Sequence, residues 1–268
     1  MLTSLFIFIL VGAFGGFLAG IFGVGGGIIF VPVLYYTISS IYPDYSGAMQ
    51  MAVGTALATI IMTNISSVRA HAKRGSVRFD LLWKIAPGMV LGSLLSAWIA
   101  DQLDSPSLKA FFAVAIFMLA VIMIIGTERL FKAKAFPSVY FSNLAGSIIG
   151  CISGLMGIGG ATLSVPYMVS YRTDMKQAVG TASALGLFIA VPGTFGFLIA
   201  GWGEPYAPNY SLGYVFLPAW LAIIATTVLT APLGVRAAHA LDSVKLKRFF
   251  AIFMCIIATT MLIETFGS

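Results

Sequence analysis

The chain contains 268 residues, of which only 24 are charged, 15 of them Lys or Arg and 9 Asp or Glu. A soluble domain of this length carries about a quarter charged residues, roughly 65. Together with 59% hydrophobic residues and a mean hydropathy of +1.00, this shortage excludes a soluble enzyme, a nucleic-acid-binding protein and a disordered chain. The composition predicts an all-α integral membrane protein that crosses the lipid bilayer several times.

The charged residues divide the chain into eight long uncharged runs. Six have the length of one crossing, whereas residues 1–43 and 135–171 are about twice the ~20 residues that a spanning helix needs. Each long run holds a glycine cluster near its middle, at residues 23–27 and 157–160. Glycine is where a helix is most easily interrupted. We therefore expect each long run to be a broken helix or a helical hairpin.

The basic residues decide how the runs are counted, because Lys and Arg collect in cytoplasmic loops. If each long run crosses once, eight basic residues lie on one side and seven on the other. If each doubles back, 14 lie on one side and only Lys109 on the other. The hairpin count predicts that residues 69–84, 128–134, 172–176 and 236–248 are cytoplasmic and that both termini are not.

Self-comparison indicates two copies of one unit. At an offset of 134, the glycines and the Val-Pro pair of the first long run recur in the second. Further on, Ala-Val-Gly-Thr-Ala at 52–56 recurs at 178–182. The basic loop at 69–78 corresponds to 201–210, where the charged residue is Glu204, so the copies are predicted to be inverted. We assign residues 1–127 and 139–268 to the copies and 128–138 to a cytoplasmic linker.

In inverted-repeat transporters, half-helix N-termini offer free N–H groups and a positive dipole end to anions. The glycine clusters, each followed by a proline, are candidate parts of such a site. The alternative is close helix packing, which we favour for the Gly-xxx-Gly rows at 12–20 and 146–154. The candidate substrate-binding residues of the two breaks are Gly23, Gly25, Gly26, Gly27, Pro32, Gly157, Gly159, Gly160 and Pro166.

Polar side chains inside apolar runs are the second group of candidates, because an unpaired polar group in hydrocarbon is costly. Thr55, Asn64, Thr181 and Ser183 could donate to an oxyanion, although Ser and Thr also bond back to their own helix. His71 is a possible proton or ligand contact at a predicted helix end. The middle of the spans has no Asp or Glu, so the sequence does not predict a proton relay built on carboxylates there.

Known catalytic and metal-binding spacings are missing from the sequence, and Cys151 and Cys255 have no CxxC spacing. We expect neither an enzyme nor a cofactor or metal site.

As a set, several motifs resemble the TauE/SafE family of sulfite-exporter-like transporters. They are Gly-Ile-Phe-Gly-Val-Gly-Gly-Gly before Val31-Pro32, Ala-Val-Gly-Thr with Asn64, His71 and Gly75, the second copy at 157–166, and Ser-Leu-Gly-Tyr-Val at 211–215. Ala161 departs from the pattern, where a third glycine is frequent, so the two half-sites need not contribute equally.

The resemblance implies a multipass transporter of the bacterial cytoplasmic membrane. Its partners would be the lipid bilayer and a small sulfur-containing anion such as sulfite, an organosulfonate or sulfoacetate, moved with proton coupling; nucleic acid is not expected. Alternating access between the repeats is the favoured mechanism. A channel-like anion conduit and a non-transporting membrane scaffold or sensor are the alternatives.

Overall fold

The computed structural model describes residues 2–22, 25–125, 136–238 and 243–266, with side chains described over 5–20, 25–124, 136–234 and 251–266. These ranges form ten helices and one short β-hairpin. In the first half they are α1 (Leu2–Phe22), α2 (Gly27–Ile41), α3 (Ala48–Lys73), α4 (Phe79–Gln102) and α5 (Ser105–Ile125). In the second half they are α6 (Val139–Leu155), α7 (Ala161–Ser170), α8 (Met175–Ala200), β1 (Ser211–Leu212), β2 (Val215–Phe216), α9 (Leu217–Ala238) and α10 (Ser243–Phe266).

Five helices are long and apolar enough to cross a membrane: α3, α4, α5, α8 and α9. Shorter apolar helical segments are Leu5–Gly20, Gly27–Ile41, Val139–Leu155 and Ala251–Phe266. The predicted all-α multipass architecture is confirmed at this level. The β1–β2 hairpin, in which Ser211 pairs with Phe216 and Leu212 with Val215, was not predicted.

Both long runs are interrupted at their glycine clusters, as predicted. The first break separates α1 from α2, and the second separates α6 from α7. Gly25, Gly26 and Gly157 have φ values of 76°, 80° and 61°, in the left-handed region that side chains with a Cβ disfavour. Gly23, a candidate site residue, lies outside the described residues.

Each broken pair also doubles back. The rings of Phe8, near the start of α1, and Tyr42, just after α2, both contact Phe216, at centroid distances of 6.4 and 6.1 Å. In the second half, Phe136 precedes α6 and contacts Tyr171, which follows α7, at 5.3 Å. Each pair therefore ends at the same end of the protein at which it started.

The Gly-xxx-Gly rows bring helices of the two halves together. A Cβ atom on Gly12 or Gly16 would collide with α9 at Thr226 or Thr230, and one on Gly146 would collide with the Ile85 backbone of α4. Thus α1 packs on α9, and α6 on α4. The prediction that these rows serve close helix packing is confirmed.

Helices α3 and α8 cross at the centre of the protein in antiparallel directions. From one end of the contact to the other, Gly54 faces Phe197, Leu57 faces Gly193, Asn64 faces Gly186 and Ser67 faces Ser183. Because α3 is buried along residues 48–60, its polar side chains Gln50, Thr55 and Thr59 lie inside the protein.

Candidate functional site

The two glycine breaks meet in the interior. A Cβ atom on Gly25 would lie 3.4 Å from Cα of Gly159, and one on Gly27 would collide with the carbonyl oxygen of Gly157. The starts of α2 and α7 are therefore close to each other. The first N–H groups of each helix have no acceptor within that helix, so this meeting point concentrates backbone donors.

A cavity of about 230 Å³ adjoins the first break. Its polar lining is Thr63, Asn64, Ser66, Ser67 and Arg74 of α3 and the turn after it, and Gly25 lines its inner part. Asn64 is only 3% exposed, whereas Arg74 is exposed. The cavity thus runs from the buried middle of α3 to a mouth at the C-terminal end of that helix.

Asn64 lines this cavity and carries a hydrogen-bond donor that no described residue satisfies. Its Nδ2 is buried, and within the described part of the chain this atom has no hydrogen-bond partner. Gly186 makes room for the amide, because a Cβ atom there would collide with Nδ2. A buried donor left without a partner costs about 1–3 kcal/mol. A ligand that accepts from Nδ2 would recover that free energy.

Thr55 and Thr181 are structural residues, and they have equivalent roles in the two halves. The Thr55 hydroxyl oxygen accepts from the Phe216 backbone N–H at 2.9 Å. The Thr181 oxygen accepts from the Arg78 N–H, also at 2.9 Å. These N–H groups directly precede α9 and α4, so each threonine anchors the start of a helix of the other half. Neither threonine lines the cavity.

The glycine before each threonine serves the same contact. A Cβ atom on Gly54 would collide with the Tyr214 carbonyl oxygen, and one on Gly180 would lie 2.6 Å from the Ser76 carbonyl oxygen. The repeated Ala-Val-Gly-Thr motif therefore lets a loop backbone approach and then binds its N–H group two residues further on.

The candidates Ser183, His71, Pro32 and Pro166 do not line the cavity. Ser183 donates to the Val179 carbonyl at 2.9 Å and accepts from cavity-lining Ser67 at 3.3 Å. His71 is half-buried near the end of α3, outside the cavity lining. Pro32 and Pro166 lie within α2 and α7, where each removes one N–H from the helix.

Sequence reasoning missed Ser66, Ser67 and Arg74, the last because it was grouped with the topology-determining basic residues. The signal was present: residues 64, 67 and 74 are separated by three and seven positions and share one helix face. In α7, the hydroxyl groups of Thr162 and Ser164 are buried without a partner in the described chain. Their counterparts in α2 are Ile28 and Phe30, so the two breaks differ in polarity.

Comparison with known proteins places this arrangement in a family. Residues 8–261 match the family described as Sulfite exporter TauE/SafE. The chain belongs to the TauE/SafE family. The match contains both glycine breaks and every cavity-lining residue, and it confirms the resemblance drawn from the motifs.

The relatives have the same general description. A probable membrane transporter protein of Haemophilus influenzae is 35% identical over 98% of this chain and 100% of its own length. One from Methanocaldococcus jannaschii is 28% identical over 86% of this chain and 85% of its own. YunE of Bacillus subtilis, also a probable membrane transporter protein, is 27% identical over 74% of this chain and 80% of its own.

No solved structure matches the chain. The TauE/SafE family and these relatives identify a membrane transporter.

Proposed function

We propose that the protein is a secondary transporter of small sulfur-containing anions, such as sulfite, an organosulfonate or sulfoacetate, in the bacterial cell membrane. Transport is coupled to protons and proceeds by alternating access. The observation that carries this proposal is the cavity: it extends from the first glycine break and Asn64, whose amide nitrogen has no partner in the described chain, to Arg74 at its mouth. None of its lining residues is Asp or Glu.

The chemistry of the lining favours an oxyanion. An anionic oxygen accepts several N–H bonds at once, and bonds to a charged acceptor are about twice as strong as neutral ones. The C-terminal end of α3 has a negative dipole end, and the Arg74 guanidinium offsets it at the mouth. Ala19, Ala70 and Pro232 form apolar walls, which suit a short organic group attached to the anion.

The helix directions support two inverted repeats at 1–127 and 139–268, with residues 128–138 as a cytoplasmic linker. Helix α1 begins near Phe216, at the end of the protein where α3 starts, whereas α6 begins beside the start of α4 at the other end. The antiparallel crossing of α3 and α8 and the equivalent roles of Thr55 and Thr181 support the same pseudo-two-fold axis. The mouth at Arg74 is then cytoplasmic, and both termini are not.

Flux into proteoliposomes tests the function. Saturable uptake of sulfite or a sulfonate, driven against its gradient by a pH difference, is expected. Flux that does not saturate would instead identify a channel-like conduit. If none of the anions moves and none binds, the protein is not a transporter of this class.

Ligand-dependent thermal stabilisation identifies the anion. A ligand present at 100 times its Kd stabilises the native state by about 2.7 kcal/mol. A panel of sulfite, sulfate, methanesulfonate and sulfoacetate, each compared with chloride at equal ionic strength, separates inorganic from organic anions. The same panel on an Asn64→Ala variant reports whether stabilisation depends on the cavity.

A further inference from the structure

A buried lysine lies far from the cavity. Lys109 of α5 is 6% exposed, although α5 is long and apolar enough to cross a membrane. Its Nζ is 2.9 Å from Oε2 of Glu264, on α10. A buried cation in a membrane segment is costly and marks function by default. The sequence predicted Lys109 as the only basic residue outside the cytoplasm, but it gave no sign of this partner.

The ion pair also includes the first broken helix. The Tyr36 hydroxyl of α2 donates to the same Glu264 Oε2 at 2.8 Å. Lys109 Nζ lies 5.1 and 5.6 Å from the ring centroids of Tyr35 and Tyr36, within the range of cation–π attraction. The contact joins α2 and α5 of the first half to α10 of the second half.

This contact lies at the end of the protein opposite the cavity mouth. The Ser105 hydroxyl at the start of α5 accepts from the Met49 N–H at the start of α3, at 3.1 Å. Arg74 follows the other end of α3, whose 26 residues extend about 39 Å at 1.5 Å per residue. The cavity is thus open at one end of α3, and Lys109 is close to the other.

Further polar contacts close that end. Gln50 is buried and donates to the carbonyl oxygens of Ala100 and Leu103, at 3.2 and 2.6 Å. Tyr214 donates to Asp101 Oδ1 at 3.1 Å. Burial, and next the Glu204 carboxylate, raise the pKa of the Tyr214 hydroxyl above its ordinary value, so it stays protonated. The Lys109–Glu264 pair differs from these contacts because it joins an acid and a base across the two halves.

We propose that Glu264 is the site at which the coupling proton binds, and that its ion pair with Lys109 is the gate at the closed end of the protein. This inference rests on the proposed transport function. Alternating access requires that contacts between the halves separate at the closed end, and this pair must then break.

Proton binding and gate opening are thermodynamically linked. A proton taken from solvent by the Glu264 carboxylate gives a neutral carboxyl group and removes the counter-charge of Lys109, which weakens the contact. Conversely, separation of the pair removes the neighbouring cation and makes the carboxylate easier to protonate. Each event favours the other by the same free energy. Titratable groups that contact Glu264 include Lys109 from α5 and Tyr36 from α2.

A buried cysteine reports on the gate without any need for transport. Ile60 is buried one turn from Asn64 on the side of the closed end and adjoins Gly25. In a variant without Cys151 and Cys255, an Ile60→Cys substitution should react slowly with a membrane-impermeant thiol reagent. Tyr206, 87% exposed in the 201–210 loop, gives an accessible Tyr206→Cys control. This control identifies the side that the closed end faces and corrects for the effect of pH on the thiol.

Neutralising the acid should open the gate. Glu264→Gln is expected to raise the normalised labelling rate of the Ile60→Cys variant from that side by about tenfold or more, the effect of losing charge-assisted bonds. With Glu264 in place, the labelling rate should rise at low pH, and Glu264→Gln should remove this pH dependence. Lys109→Met should act in the same direction, and Tyr36→Phe more weakly. Asp80→Asn is the matched control, because it neutralises the acid of the exposed Arg78–Asp80 pair. It should leave the labelling rate and its pH dependence unchanged.

Transport then separates the two proposals. Glu264→Gln proteoliposomes should exchange internal for external anion but lose accumulation driven by a pH gradient. Labelling that is equally slow and equally pH-dependent in Glu264→Gln and its parent would overturn the gate, and pH-driven accumulation by Glu264→Gln would overturn the proton site. If the parent protein moves no anion, the proposed function fails, and labelling still decides the gate.

Discussion

Asn64 is the residue at which a prediction on binding is sharpest, because its buried amide donor has no partner in the described chain. Replacing it with alanine removes a donor that has no partner within the described residues. Asn64→Ala should weaken anion binding by about 1–3 kcal/mol, or roughly 5- to 150-fold in Kd, without lowering the stability of the ligand-free protein. Thermal titration with the best anion of the panel measures both quantities.

Two further variants control this experiment. Thr59 is buried in the same helix and donates to the Thr55 carbonyl oxygen at 2.9 Å, outside the cavity lining, so Thr59→Val should retain anion affinity. Asn64→Asp places a carboxylate in the cavity. This variant should bind the anion more weakly than Asn64→Ala does, because like charges repel. Undiminished affinity in Asn64→Ala would remove Asn64 from the site.

The contrast between Asn64 and Thr55 shows how far residue patterns lead. Both were expected as polar groups in an apolar run, and the repeat-matched threonine had the stronger pattern. Repetition identifies a residue needed twice, and at Thr55 and Thr181 the shared need is to anchor a helix start. An anion-binding group can be needed only once. Asn64 corresponds to Ala190 in the second copy, and only the tertiary packing of α3 against Gly186 shows that its amide nitrogen is buried without a partner in the described chain.

At the scale of an element, the start of α9 depends on Thr55. Thr55→Val removes the acceptor of the buried Phe216 N–H and should destabilise the protein by about 1–3 kcal/mol. Thr181→Val should cost less, because the bond to the Arg78 N–H is only part-buried. Unfolding in detergent measures both changes. Weaker anion binding with unchanged stability would mean that the threonines contact substrate instead.

The contact of α4 with α6 gives a second prediction at this scale. A Cβ atom on Gly92 would collide with the Ser147 carbonyl oxygen of α6. Gly92→Ala should therefore force the helices apart and destabilise the protein by about 1–3 kcal/mol. Leu91, the preceding residue, is 66% exposed, so Leu91→Ala is a matched control expected to stay near wild-type stability. Equal melting temperatures for Gly92→Ala and wild type would contradict the close packing.

At the scale of the whole molecule, the shortage and distribution of charge predicted much of the fold. Overlong uncharged runs with central glycines predicted the two breaks, since few other residues adopt the φ values of Gly25 and Gly26. The sequence could not predict that α1 packs on α9 and α6 on α4, because small-residue rows fit any close partner. Nor could it pair Lys109 with Glu264, 155 positions apart, or place Arg74 at a cavity mouth, since both depend on which helices become neighbours.

The antiparallel crossing of α3 and α8 leads to a prediction about the complete topology. Gly75 follows the C-terminal end of α3, and Pro208 lies in the loop after the C-terminal end of α8. Because the two helices run in opposite directions, reporter fusions at these positions should lie on opposite sides of the membrane. The basic residues around Gly75 predict that its side is cytoplasmic.

A third fusion checks that α3 crosses the membrane. Asp44 lies between α2 and α3, beyond the returning arm of the first hairpin, and should report the same side as Pro208. A single-crossing first run would not change the relation of Gly75 to Asp44, because α3 alone separates them. Only inverted halves place Gly75 and Pro208 apart, since parallel copies would put these equivalent loops together. Alternating access between two inverted halves therefore depends on the comparison of Gly75 with Pro208. If both fusions report the same side of the membrane, that mechanism is excluded, whatever anion is carried.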